Sequence, residues 1–199
     1  MRSLFAAALT LCWFGTALGQ DADTGTIPPN EERIAAVAAG SADEALASWW
    51  GYNSADATGA LQAALDSGVK VLRVDKQSAP WTVTPLNVPS DIEVVIDPGV
   101  TIQAKEGEFR PRGASLLSID QQKNVVIRGG GDSVLLMRKS DYHKEPYEKS
   151  EWRHGITMTA VKNVRIENLT IRSTGGDGIY VGAGNDGAPC EDVTIRDVF

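Results

Sequence analysis

Histidine and cysteine are scarce in this chain, which has two of each among 199 residues. So few thiols exclude a small domain held by a disulfide framework, and no compact His/Cys grouping suggests zinc, so no metal is expected. Cationic side chains are also in the minority: 19 Lys and Arg face 26 Asp and Glu, for a formal charge of −7. A nucleic-acid partner recruits clustered Lys and Arg, so none is expected here. Beyond residue 20 no run is long and apolar enough for a transmembrane segment.

The first twenty residues, "MRSLFAAALTLCWFGTALGQ", have a different character. Arg2 precedes an apolar run from Leu4 to Ala17, and Ala17-Leu18-Gly19 supplies a small–x–small pattern. Residues 1–20 are therefore expected to be a signal peptide cleaved after Gly19 or Gln20, giving a secreted or periplasmic protein. A membrane anchor is the alternative, against which the short run broken by Thr10 and Gly15 weighs. Cys12 leaves with this leader, and Cys190 is then expected to be a buried structural thiol.

Residues 21–50 read as a polar and helical N-terminal extension. Ser41 and Glu44 have capping-box spacing, which predicts a helix running through Ala45 and Leu46 towards a buried Trp49-Trp50 pair. A clearer helix follows in "DATGALQAALDSG", where Ala60, Leu61, Ala64 and Leu65 share one side and Gly68 ends it. From Val69 onward the period changes to that of short strands, in "VKVLRV", "DIEVVIDPGVTIQA", "NVVI", "NVRIENLTI" and "DVTIRDVF". Aligning Ile96, Ile127, Ile166 and Ile195 gives separations of 31, 39 and 29 residues, and "LLSID", "GITMTA" and "GIYVG" recur in step. Such a pattern predicts stacked coils that cover one another's apolar faces, with a propeller or sandwich as alternatives.

Two stretches carry a family resemblance: "NSADATGALQAALDSG", an Asp/Thr turn leading into a capping helix, and "NVRIENLTIRSTGGDGIYVG", a coil repeat. Across residues 51–199 the chain resembles the pectate-lyase-like superfamily of right-handed parallel β-helix proteins. The resemblance implies an all-β right-handed parallel β-helix solenoid with an N-terminal capping helix. Within it, Val164, Ile166, Leu169 and Ile171 face inward, while Arg165, Glu167, Asn168 and Arg172 face solvent. Ile179 and Val181 restart the pattern after a corner, where Gly175 and Gly176 supply backbone angles that side chains oppose. Asn163 and Asp192 are expected to stabilise equivalent turns. No polar cap follows "DVTIRDV", so the 51–199 domain is expected to be incomplete, truncated at its C-terminus. An oligomer covering the exposed terminal coil is the alternative.

Candidate chemistry concentrates in "MRKSDYHKEPYEKSEWRHG", which lengthens one coil by roughly nine residues over an ordinary coil of roughly 30. It holds Asp141, Tyr142, His143, Glu145, Tyr147, Glu151, Trp152, Arg153 and His154. Tyr147, Trp152 and Tyr180 are candidates for stacking on sugars, and Arg153 for binding a uronate carboxylate. His154 is favoured over His143 for proton transfer, since "HGITM" directly precedes a strand. Asp177, in "GGDG", superficially resembles the Asp-bearing turns of polygalacturonase-like hydrolases, with Glu151 or Asp186 as its partner carboxylate. The paired-Asp signature and the later Gly-His-Gly and Arg-x-Lys patterns are absent from this sequence.

The resemblance therefore implies a polysaccharide or oligosaccharide partner and leaves enzymatic status open. One reading is a glycoside hydrolase using Asp177, Glu151 and His154. A second is a uronic-acid polysaccharide lyase, with Arg110 or Arg153 as base and Ca²⁺ near Asp141 and Glu151; otherwise no cofactor is expected. The third is a non-catalytic carbohydrate-binding or surface-structural protein. Asn168-Leu169-Thr170 is formally a glycosylation sequon, placed inside a repeat strand.

Overall fold

The computed structural model describes residues 25–199, so the predicted signal peptide lies outside the described residues. Apart from a short antiparallel pair, Thr26–Ile27 with Tyr52–Asn53, its strands form three parallel sheets, to which successive coils each contribute one rung. The first sheet takes Glu44–Leu46, Val71–Val74, Ile92–Ile96, Lys123–Gly129, Lys162–Arg172 and Glu191–Val198 in order. The second takes Trp81–Val83, Thr101–Ala104, Val134–Leu136 and the end of the long Lys162–Arg172 strand. The third takes Leu86–Asn87, Leu117–Asp120, Ile156–Thr159 and Ile179–Gly182. The chain is thus mostly β, with parallel pairing throughout these sheets, a solenoid-like repeat and two short α-helices among the described residues.

Register explains why short strands suffice. Ile92, Val125, Val164 and Val193 stack as one column inside the first sheet, and Val94, Ile127, Ile166 and Ile195 as the next. Trp81, Ile102, Leu135 and Ile171 line the second sheet, and Leu86, Leu117, Ile156 and Ile179 the third. Burying one such aliphatic side chain stabilises by about 1.5–3 kcal/mol, and each rung supplies the partners its neighbour lacks. The expected alignment needs one correction. Ile127 stacks on Val94 rather than Ile96, which instead meets Gly129. A two-residue slip keeps the same face inward, so alternation alone could not fix it.

Turns between the third and first sheets hold Asp91, Asn124, Asn163 and Asp192 at φ of 62°, 55°, 54° and 53°. The Asn124 amide donates to Asp91 Oδ1 at 2.6 Å, and that of Asn163 to Asn124 Oδ1 at 2.9 Å. Short amide and carboxylate side chains tolerate this left-handed geometry and link one turn to the next. Glu167, expected to face solvent, is instead buried between Arg196 at 2.9 Å and Arg165 at 3.6 Å. Asn168 gives its side-chain amide to the Gly129 carbonyl, so it too is tied into the stack.

At the start of the stack, the Ser41–Glu44 capping box does not form. Glu44 opens a strand, and the Ser41 hydroxyl closes the preceding helix Glu31–Ala38 by donating to the Ala36 carbonyl. Pairing of Glu44–Leu46 along Val71–Val74 outweighs local helix propensity. Trp49 and Trp50 sit half-buried in a single 3-10 turn, Ala47–Trp50. The second helix, Thr58–Leu65, buries Leu61, Ala64 and Leu65, and Gly68 follows at φ +78°. It covers the first rungs of the other two sheets, where Thr58 Oγ1 accepts from the Thr84 N–H at 2.8 Å. Among the described residues no helix is long and apolar enough to cross a membrane.

Candidate functional site

The two longest helix-free connections between strands, residues 105–116 and 137–155, lie at one corner, between the second and third sheets, beside the turn 173–178. They lean on one another through backbone bonds, from Lys139 N–H to Ser173, Gly175 N–H to Arg153 and Leu116 N–H to the His154 carbonyl. Beside them runs the outer face of the third sheet. Asn87, Ser118, Thr157 and Tyr180 form one column there, with Asp120, Thr159 and Gly182 beside it. The Thr159 hydroxyl donates to Asp120, and the Ser115 and Thr157 hydroxyls lie 2.5 Å apart.

Arg153 organises the inserted loop from inside. Its guanidinium is fully buried and donates to the Phe109, Arg110 and Glu148 carbonyls at 2.8, 2.9 and 3.0 Å. Its two flanks are the rings of Tyr142 and Tyr147, with the guanidinium carbon 5.3 and 5.4 Å from their centroids. A rigid planar fork suits three fixed carbonyls, which is why the site takes Arg. Burial pushes the Tyr142 hydroxyl up to about 12, so it stays neutral, and burial raises Tyr147 as well. The Tyr147 hydroxyl donates to the Glu108 carbonyl at 2.6 Å. Arg138 adds bonds to Asp141 at 2.6 Å and Glu106 at 2.8 Å. Outside this clasp, Tyr142, His143, Lys144, Glu145, Tyr147 and Lys149 line an open cleft of about 470 Å³.

The neighbouring corner gathers four predicted residues. His154 stacks on Tyr180 with centroids 5.1 Å apart and planes 9° apart, and Trp152 meets both edge-on, at 6.2 and 5.8 Å. Of these three rings only Trp152 is well exposed, at 56%. The His154 side chain is 3% exposed and that of Asp177 is 69% exposed. His154 Nδ1 accepts the Asp177 backbone N–H at 2.9 Å, and Asp177 Oδ2 lies 3.8 Å from the same nitrogen. Burial pulls the His154 imidazolium below its ordinary 6.5, partly offset by the Asp177 carboxylate. The imidazole is therefore neutral, with its proton on Nε2.

The two glycines before Asp177 are needed for closeness, not for unusual torsions. Neither is among the glycines with positive φ. A methyl group on Gly175 would lie 2.5 Å from Tyr142, and one on Gly176 would lie 2.1 Å from the Glu151 carbonyl oxygen. The corner is thus packed directly on the inserted loop.

Trp152, His154, Asp177 and Tyr180 come together, and the exposed Glu151 sits at the same corner through its main chain. Tyr147 and Arg153 belong to the adjoining clasp, and Arg153 is turned inward onto carbonyls instead of outward to a ligand. His143 lines the cleft, while exposed Asp186 caps its own turn by accepting the Ala188 N–H. Arg110 donates to the Gly107 carbonyl. Cys190 is half-buried, 3.1 Å from the Gly182 carbonyl. Among the described residues, no three His, Cys, Asp or Glu side chains converge as a metal-ligand group.

Sequence reasoning overlooked the outward columns and Gly182. A methyl group on Gly182 would lie 2.6 Å from Tyr180 Cε1, so that glycine makes room for the ring. Polar residues alternating in "LLSID" and "GITMTA" were the available signal, readable only once the rungs are in register.

No protein-family model matches this sequence. Among curated proteins, the chain is similar to the SPbeta prophage-derived uncharacterized protein YorA of Bacillus subtilis (strain 168), 32% identical over 123 residues. That match covers 56% of this chain and 20% of the relative, so the chain spans about a fifth of the relative's length. Among solved structures it is similar to a "putative glycosyl hydrolase" from Parabacteroides merdae ATCC 43184, with a TM-score of 0.62 and 19% identity. The superposition covers 78% of this chain and 73% of that one. At such low identity the likeness establishes a related β-rich fold, and chemistry must be argued from the site.

Proposed function

We propose that this chain is an exported carbohydrate-active protein built on a right-handed parallel β-helix of the pectate-lyase-like kind. In this reading it hydrolyses a polysaccharide lying along the outer face of the third sheet. The observation that carries the proposal is the corner where an exposed carboxylate, Asp177, lies 3.8 Å from His154, whose ring stacks on Tyr180 and meets Trp152 edge-on. Pyranose rings present apolar faces that stack on aromatics, and their hydroxyls bond to polar columns such as Ser118, Thr157 and Asn87.

Glycoside hydrolysis takes two carboxyl groups. One protonates the leaving oxygen, and the other activates water or attacks the anomeric carbon. The pair proposed for these roles is Asp177 and the exposed Glu151, with His154 holding the Asp177 backbone. The fold likeness to a structure described as a putative glycosyl hydrolase supports the same reading. A lyase has less support, because Arg153, a candidate base, commits its guanidinium to three carbonyls.

The test is to incubate the purified protein with neutral and acidic polysaccharides in ¹⁸O-labelled water and weigh the products. Hydrolysis predicts fragments with one ¹⁸O at the new reducing end, lost in Asp177→Asn. Unsaturated, unlabelled fragments would make the protein a lyase. Binding without products would make it a carbohydrate-binding protein, and neither binding nor products would end the proposal.

A further inference from the structure

We infer that His154 is a positioning residue for Asp177 and exchanges its grip from the Asp177 main chain to the Asp177 carboxylate when it gains a proton. Two partners for one nitrogen lie on the same residue: the backbone N–H at 2.9 Å and Oδ2 at 3.8 Å. Neutral Nδ1 can accept only the first. Once protonated it becomes a donor, its bond to the amide is lost, and the carboxylate is the nearby acceptor.

The surroundings make this a two-position device. Tyr180 stacks on one face of the imidazole and Trp152 meets it edge-on, so the ring cannot turn to seek another partner. Among the described residues its Nε2 is buried without a hydrogen-bond partner, so the change falls on Nδ1. The charged or titratable groups facing it are Asp177 from the corner and Tyr180 from the next rung. Arg153, next in sequence, points its guanidinium away to the Phe109, Arg110 and Glu148 carbonyls. Glu151 reaches this corner through its carbonyl against Gly176, with its side chain exposed.

The consequence concerns the carboxylate. While His154 is neutral, Asp177 Oδ2 is free to meet a ligand and the 175–178 corner is anchored by its amide. After protonation the carboxylate is drawn to the imidazolium and the corner is released. Burial places this change below pH 6.5. The effect on substrate rests on Asp177 being the working carboxylate; the exchange itself does not.

The experiment is an NMR titration of the ¹⁵N-labelled full chain carrying His143→Gln, which leaves His154 as the sole imidazole. Expected are the Nε2–H tautomer at pH 7.5 and an Asp177 amide resonance that moves in step with His154, with a midpoint below 6.5. Asp177→Asn should lower the midpoint further by removing the carboxylate. His154→Asn places an amide oxygen near the position of Nδ1, so the Asp177 amide should keep its neutral-pH shift and lose its pH dependence. In that variant the acid limb of saccharide binding should flatten. An Asp177 amide indifferent to His154 titration, or a neutral Nδ1–H tautomer, overturns the inference. If His154→Asn does not fold, the other two titrations decide. If the protein binds no saccharide, the proposed function fails while the NMR result still judges the exchange.

Discussion

Gln62 forms with Asn87 the pair of hydrogen bonds that a neighbouring strand would form. Its Oε1 accepts the Asn87 N–H and its Nε2 donates to the Asn87 carbonyl, both at 2.9 Å. A helix side chain thereby closes the open edge of the third sheet at its first rung, where an unpaired strand would invite association.

Replacing Gln62 by Ala is expected to cost about 1–2 kcal/mol, the net worth of two hydrogen bonds at a partly wet edge. Chemical denaturation measures that loss, and light scattering should show increased self-association. Unchanged stability would mean that apolar burial by Leu61 and Leu65 does the capping alone.

Arg153→Lys should fail to replace the native clasp. It keeps the charge but cannot reach three carbonyls with one fork, so the inserted loop is expected to lose about 3 kcal/mol of local stability. Limited proteolysis between residues 138 and 150 should accelerate, while the sheets retain their circular dichroism. Native-like resistance would show that Tyr142 and Tyr147 hold the loop without the guanidinium.

Gly182→Val should displace the Tyr180 ring from above the strand and from its stack on His154. Saccharide affinity is expected to fall roughly fivefold, the ~1 kcal/mol scale of one aromatic contact, with little change in melting temperature. Calorimetric titration checks it, and unchanged affinity would remove Tyr180 from the binding face.

Stability should also depend on pH through His154. The unfolded imidazole binds a proton near 6.5, while burial lets the folded one resist it, so unfolding takes up a proton below that value. Stability is therefore flat above 6.5 and falls as the pH drops through it, levelling off below the folded value. His154→Asn should abolish this slope in urea midpoints collected between pH 7.5 and 5.

Much of the architecture was legible because a stacked coil repeats its constraints. The columns through Val164 and Ile166 follow from period-2 alternation, and turn residues such as Asn163 recur where the backbone must be left-handed. What alternation cannot supply is offset, hence the slip that put Ile96 where Val94 stands. The Glu44 error has another cause, since its partner strand, Val71–Val74, lies far along the chain. Within the site, His154, Asp177, Trp152 and Tyr180 were picked by type and loop position, but their mutual contact depends on register across two rungs. Arg153 looked equally functional by type, and only burial separates a clasp from a contact residue.

The most direct measurement of the central claim is an oligosaccharide titration followed through the indole and ring resonances of Trp152 and Tyr180. Saturable shifts are expected at both residues and at Asp177, with none at Trp81, which is fully buried in the second sheet. Shifts confined to other faces, with the Trp152 and Tyr180 signals unmoved at saturation, would contradict it.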